Sequence, residues 1–135
     1  HNIVKKFGVE NYNAEPYVYA SNIRAPMALN AGQAGVSWLS GTASWMMIAL
    51  EEYIFGVKPC FKGLKIQPCI PDEWEKIKIK RFFRGCEYSI TIDNSARCGN
   101  CVKEIYVDGK KFTGEFILSE RSSADILVIT GSDKK

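Results

Sequence analysis

The chain has 135 residues, 46% of them hydrophobic and 24% charged, with a formal net charge of +3. That is ordinary globular composition for one domain, or for the end of one and a small second one, and so mild a charge gives no support for a nucleic-acid partner, which calls for a clustered basic face. Five cysteines (Cys60, Cys69, Cys86, Cys98, Cys101) form an odd set without framework spacing, which argues for reduced thiols in a cytoplasmic protein over a secreted disulfide scaffold.

The sequence opens on His1-Asn2-Ile3 without an initiator Met or a signal-like segment, so a piece of something longer is expected. Residues 1–12 hold at most a short helical remnant. In "AEPYVYASNI" Pro16 discourages helix at Glu15, and Tyr17, Val18 and Tyr19 favour extended chain. Residues 24–35, "RAPMALNAGQAG", read as a loop.

The run from Gly32 to Gly56, "GQAGVSWLSGTASWMMIALEEYIFG", is apolar enough to raise a membrane question. A spanning helix needs about 18–20 apolar residues, whereas Glu51, Glu52 and several glycines interrupt this one. A helix buried on most sides is expected instead, starting at Ser40-Gly41-Thr42 and ended by Gly56 and Pro59.

From Pro59 onward the reading changes to short strands, and the formal charge, zero over residues 1–58, becomes +3. Strands are predicted at 63–67, 77–83, 88–93, 102–107 and 126–130, with turns at "IPDEW" and at the Asp-Gly of "VDGK". "KIKIKRFF" alternates, Ile77 and Ile79 inward and Lys76, Lys78 and Lys80 outward, which predicts an antiparallel sheet with one wet face. The fold class expected is α+β: loop and buried helix over residues 1–58, then a β-sandwich-like domain over 59–135.

Four constellations carry chemistry, each with a plain structural alternative. Ser40-Gly41-Thr42 opens a helix, where free N–H groups and the dipole receive anions; simple N-capping explains the same residues. Glu15-Pro16-Tyr17-Val18-Tyr19 has the carboxylate and amphipathic rings of a sugar site, or two satisfied tyrosines on a strand. Cys98-Gly99-Asn100-Cys101 has the spacing of half a zinc site or a redox pair. It has no second pair or nearby histidine, however, and the expectation is turn cysteines and no metal. "RFFRG" with its preceding lysines superficially resembles an RNA-binding sheet but fits a solvated strand face.

The order of these pieces resembles a family. "AEPYVYASNI", "GQAGVSWLSGTASWM", "FGVKPCFKGLKIQPCIPDEW" and "RFFRGCEYSITI" together, over about residues 15–92, are similar to the C-terminal end of inverting glycoside phosphorylases of glycoside hydrolase family 94, the cellobiose, cellodextrin, laminaribiose and chitobiose phosphorylases. The resemblance implies the last segment of an (α/α)6 barrel followed by a terminal β domain. It also implies attack of inorganic phosphate on an anomeric carbon while an Asp protonates the leaving oxygen, so that one carboxyl group replaces the pair used in hydrolysis.

Residue by residue, the resemblance puts phosphate at Ser40, Gly41 and Thr42. Ser40 stands where many members have Thr. Sugar contacts fall on Glu15, Tyr17 and Ser21. Ser21 stands where several cellobiose-type members have Gln, which puts cellobiose specificity in doubt. The family's general-acid Asp and its phosphate-contacting His and Arg find no counterpart in these residues, so no catalytic residue is assigned and the chain alone is expected to be inactive. Phosphate is a co-substrate, no cofactor is implied, and the partners are a β-linked glucosaccharide and the rest of the same enzyme, a homodimer when full length. The competing expectations are a non-catalytic carbohydrate-binding or packing β module, which the exposure of Trp74, Phe82 and Phe83 would separate, and an RNA-binding domain.

Overall fold

The computed structural model describes residues 3–15, 18–38 and 40–131. The chain divides into two compact units, His1–Ile48 and Ala49–Lys135.

The first unit holds two short helices, α1 (Ile3–Phe7) and α2 (Val9–Tyr12), and a nine-residue helix, α3 (Ser40–Ile48). Between them the chain folds back on itself. Ser21 N–H donates to Val36 O (2.8 Å), Gly35 N–H to Asn22 O (2.8 Å) and Arg24 N–H to Gln33 O (2.9 Å), with an antiparallel bridge Ile23↔Ala34. The predicted loop 24–35 is the reversal of this narrow ladder.

α3 starts where the hydroxyl-glycine step predicts, but it is not buried. Trp45 is 73% exposed and Met47 54%, with Met46 and Ile48 also exposed. A helix this apolar keeps few contacts of its own among the described residues, and its composition records a need for cover that they do not meet. The helical backbone runs on as a π-helical stretch, Ala49–Ile54, and stops at Gly56 (φ 69), the left-handed C-terminal glycine expected.

The second unit is β-rich. Strands β1 (Val57–Cys60) and β2 (Gly63–Ile66) form a hairpin, and a five-stranded sheet runs in the order β3-β4-β7-β5-β6. Its strands are β3 (Lys76–Phe83), β4 (Cys86–Asp93), β5 (Val102–Val107), β6 (Lys110–Phe112) and β7 (Ser123–Thr130). The turns Arg84-Gly85 and Asp108-Gly109 both have two positive φ values, as tight hairpins require.

The sheet departs from expectation in one respect. β4 and β7 pair in parallel, so it is mixed and not antiparallel. Alternation reports which face is wet and says nothing of strand direction. Lys76, Lys78 and Lys80 are exposed and Ile77 and Ile79 half-buried, as predicted.

The core lies on the other face. Tyr88, Ile90 and Ile92 of β4, Ile126 and Val128 of β7, and Val57, Leu64 and Ile66 of the hairpin are all buried. Ile117 joins them by exchanging both backbone hydrogen bonds with Leu64 at 2.8 Å. Phe83 packs against this core, while Phe82 is 72% and Trp74 43% exposed, so the aromatic set is split between packing and solvent. Among the described residues no helix is long and apolar enough to cross a membrane.

Candidate functional site

The backbone ladder of the first unit brings two of the sequence motifs together. Ser21 lies at one end of it, bonded through its N–H to Val36, and Val36 leads through Ser37 and Trp38 towards α3. Glu15 faces that same segment. The Trp38 indole N–H donates to Glu15 Oε1 at 3.3 Å. Glu15's own backbone N–H, the Ser37 hydroxyl and the Trp38 indole hold its carboxyl below the usual carboxylate range. Asn13, Ala14, Glu15, Gly35 and Ser37 line a cleft of about 420 Å³ here.

Trp38 is the residue that sequence reading missed. It has φ 63, the left-handed region that a bulky side chain seldom adopts, and the residue is 75% exposed. A strained backbone holding an exposed aromatic beside an ionised carboxylate is the kind of local outlier that accompanies ligand sites. Two residues further on, α3 begins at Ser40. Only the strain is invisible in the sequence; the Trp itself reads as one more apolar residue of a buried helix.

Of the other assigned positions, Tyr17 and the Ser40 side chain lie outside what the structure describes. Gly41 is exposed, and a Cβ built on it would meet no heavy atom within 4 Å. Thr42 is half-buried and Ser21 exposed. The described residues therefore bring Glu15 to Trp38 across 23 residues of chain, with α3 starting two residues after Trp38 and open space at Gly41.

No group of three or more His, Cys, Asp or Glu side chains among the described residues is arranged to hold a metal ion. Cys98 and Cys101 are both free and half-buried.

Glu15 and the exposed Trp38 thus stand beside the segment that leads into α3. Comparison with known proteins gives a family. Residues 2–56 match the glycosyl hydrolase 94 superfamily, catalytic domain, and the chain belongs to that superfamily. It is 36% identical over 108 residues to solabiose phosphorylase of Paenibacillus borealis, covering 78% of this chain and 14% of that protein. It is 33% identical over 121 residues to N,N'-diacetylchitobiose phosphorylase of Vibrio proteolyticus, covering 90% of this chain and 15% of that protein. A third relative, cyclic beta-(1,2)-glucan synthase NdvB of Rhizobium meliloti, is 32% identical over 96 residues, 71% of this chain and 3% of its own length. The chain thus spans about a seventh of the two phosphorylases. The resemblance read from the motifs is met by these matches.

Proposed function

We propose that this chain is part of a glycoside phosphorylase that cleaves a β-linked glucosaccharide with inorganic phosphate, by inversion, to give a sugar 1-phosphate. The observation that carries the proposal is the approach of Glu15 to Trp38, two residues ahead of α3, in a segment with the catalytic-domain sequence of the superfamily.

In this reading the first turn of α3 receives the phosphate. Free N–H groups and the dipole of a helix start favour an anion, and Ser40 and Thr42 add hydroxyl donors. Gly41 lets an oxyanion approach the backbone closely, since space is open where its Cβ would stand. Glu15, ionised and held by its donors, accepts hydrogen bonds from sugar hydroxyls, with Tyr17 and Ser21 as further contacts and Trp38 as a flat apolar face. Fixed donors around a dianion stabilise charge where it is transferred. The general acid belongs to a part of the enzyme without counterpart in these residues, and α3 belongs to an (α/α)6 barrel whose other helices cover Trp45 and Met47.

The test is phosphate-dependent release of sugar 1-phosphate by protein expressed from its complete coding sequence. Cellobiose, cellodextrin, laminaribiose and N,N'-diacetylchitobiose would each be offered, beside Gly41→Ala and Ser40→Ala. Ala in place of a helical Gly favours the helix by about 0.5–1 kcal/mol, so a rise in the KM for phosphate of roughly tenfold in Gly41→Ala, with thermal stability kept or raised, would report lost anion contact and not a damaged fold. Absence of phosphate-dependent release on every β-glucoside would refute the activity. Unchanged phosphate KM in both variants would refute the placement of phosphate at α3.

A further inference from the structure

The loop from Asn94 to Cys101, between β4 and β5, plays no part in the function above, yet it is fastened from several sides. Cys98 N–H donates to the buried Asn94 Oδ1 (2.9 Å), and Gly99 N–H to Asp72 Oδ1 (3.2 Å). Gly99 O accepts from Ile70 N–H at 3.1 Å, and Cys101 N–H donates to Cys98 O at 3.2 Å, closing the four-residue turn. The approach at Gly99 is so close that a Cβ would stand 1.9 Å from Ile70 O.

This turn holds two thiols on one side. Both sulfurs lie within hydrogen-bonding reach of the same acceptor, Asn100 Oδ1, at 3.9 Å from Cys98 and 3.3 Å from Cys101. The neighbouring Cys101 side chain, then desolvation and the Asp72 charge, push the Cys98 thiol above its ordinary range, which disfavours its thiolate. Both side chains are half-buried and open to a small reagent, unlike Cys86, which is fully buried in the core. Adjacent thiols with solvent access are the requirement for dithiol chemistry, and the backbone is already turned as a ring closure needs.

We propose that Cys98 and Cys101 are a dithiol modification site that a small disulfide of the glutathione class converts to an intra-turn disulfide. One cysteine, as thiolate, attacks the reagent's S–S bond; a mixed disulfide forms and the first glutathione leaves as its thiol. The second cysteine then attacks the protein sulfur of that mixed disulfide, forming the Cys98–Cys101 bond and expelling the second glutathione. The protein loses two electrons and two protons, and the reagent gains them as two thiols. A short, accessible ring of this kind belongs with the labile disulfides, readily reversed by a dithiol reductant.

The experiment takes reduced protein from the complete coding sequence, incubates it with glutathione disulfide, and maps the cysteine peptides by mass without reduction. The expected result is a peptide spanning 98–101 that has lost two hydrogens, carries no glutathione, and is restored by dithiothreitol. In Cys98→Ser and Cys101→Ser the remaining cysteine should accumulate a stable glutathione adduct, for want of the second thiol. A wild-type peptide that stays reduced, or that holds a lasting adduct, would overturn the proposal. The wild-type map decides the question even where a variant folds poorly.

Discussion

The residue whose loss should be felt furthest is Asn94. It is wholly buried, and beside long approaches of Nδ2 to Pro71 O and Asp72 O (both 3.5 Å) its side-chain amide makes three close bonds: Nδ2 donates to Trp74 O (3.0 Å), while Oδ1 accepts from Cys98 N–H (2.9 Å) and from Thr130 Oγ1 (2.6 Å). One side chain therefore ties the segment before β3, the turn before β5 and the end of β7. In Asn94→Ala three bonds go, each worth about 1 kcal/mol net, and at least one partner is left dry and unmet at a further ~1–2 kcal/mol. Thr130 keeps a weaker bond to Asp93 O at 3.3 Å, which limits the total. The expected loss is about 3–4 kcal/mol, a large share of the ~5–15 kcal/mol that stabilises a domain. Urea unfolding followed by far-UV circular dichroism should show the midpoint of the β unit falling by roughly 2 M. The Cys98 thiol should also become faster to label as its turn loosens. A midpoint within 0.5 M or so of wild type would mean that water replaces the amide and that the three segments do not depend on it.

Further outcomes follow from the same structure. Tyr88→Phe removes the fully buried hydroxyl that accepts from Ser119 N–H at 2.9 Å, and should cost about 1–2 kcal/mol in the same unfolding assay. In wild type, burial pushes the Tyr88 hydroxyl up, so ultraviolet titration should show it ionising later than an exposed tyrosine. Asp93 accepts from the Ser95 hydroxyl (2.5 Å) and N–H (3.1 Å), which hold its carboxyl down. Because its folded value lies below its unfolded one, the unfolded chain binds the proton more readily. Its contribution is present at neutrality and lost as pH falls through the acidic range. Ser95→Ala should flatten that acid loss in a series of melting temperatures; an unchanged slope would remove Asp93 from the account.

The sequence carried the face of each strand better than its neighbours. Lys-Ile alternation located β3 and its wet side, and Asp-Gly located the β5–β6 hairpin, because side-chain period and turn chemistry are local. β1 went unpredicted since Pro59, read as the stop of a helix, sits inside a short hairpin strand, where a missing N–H is tolerated at an edge. The parallel β4–β7 pair is set by contacts far apart in the chain, which no local pattern encodes. At the candidate site, Glu15 and the Ser-Gly-Thr step were legible as residue types. Trp38 was not, since its importance rests on a backbone angle and on a hydrogen bond across 23 residues. Asn94 hid in a polar stretch, "DNSARCGN", that reads as a solvated turn, because a buried amide leaves no periodic trace.

The strand order has a consequence for how this protein is made. β7, the last of the described strands, lies between β4 and β5, at the centre of the sheet. While a ribosome is still producing residues before Ser123, β4 and β5 each present an unpaired edge, and neither can be satisfied by its eventual neighbour. The sheet closes only when residues 123–130 emerge and insert between strands already waiting. Until then the nascent domain depends on holding factors, or on speed, to stay out of association with its own copies. A nonsense codon anywhere before Ser123 should therefore yield an unfolded, degraded product and not a slightly shorter domain.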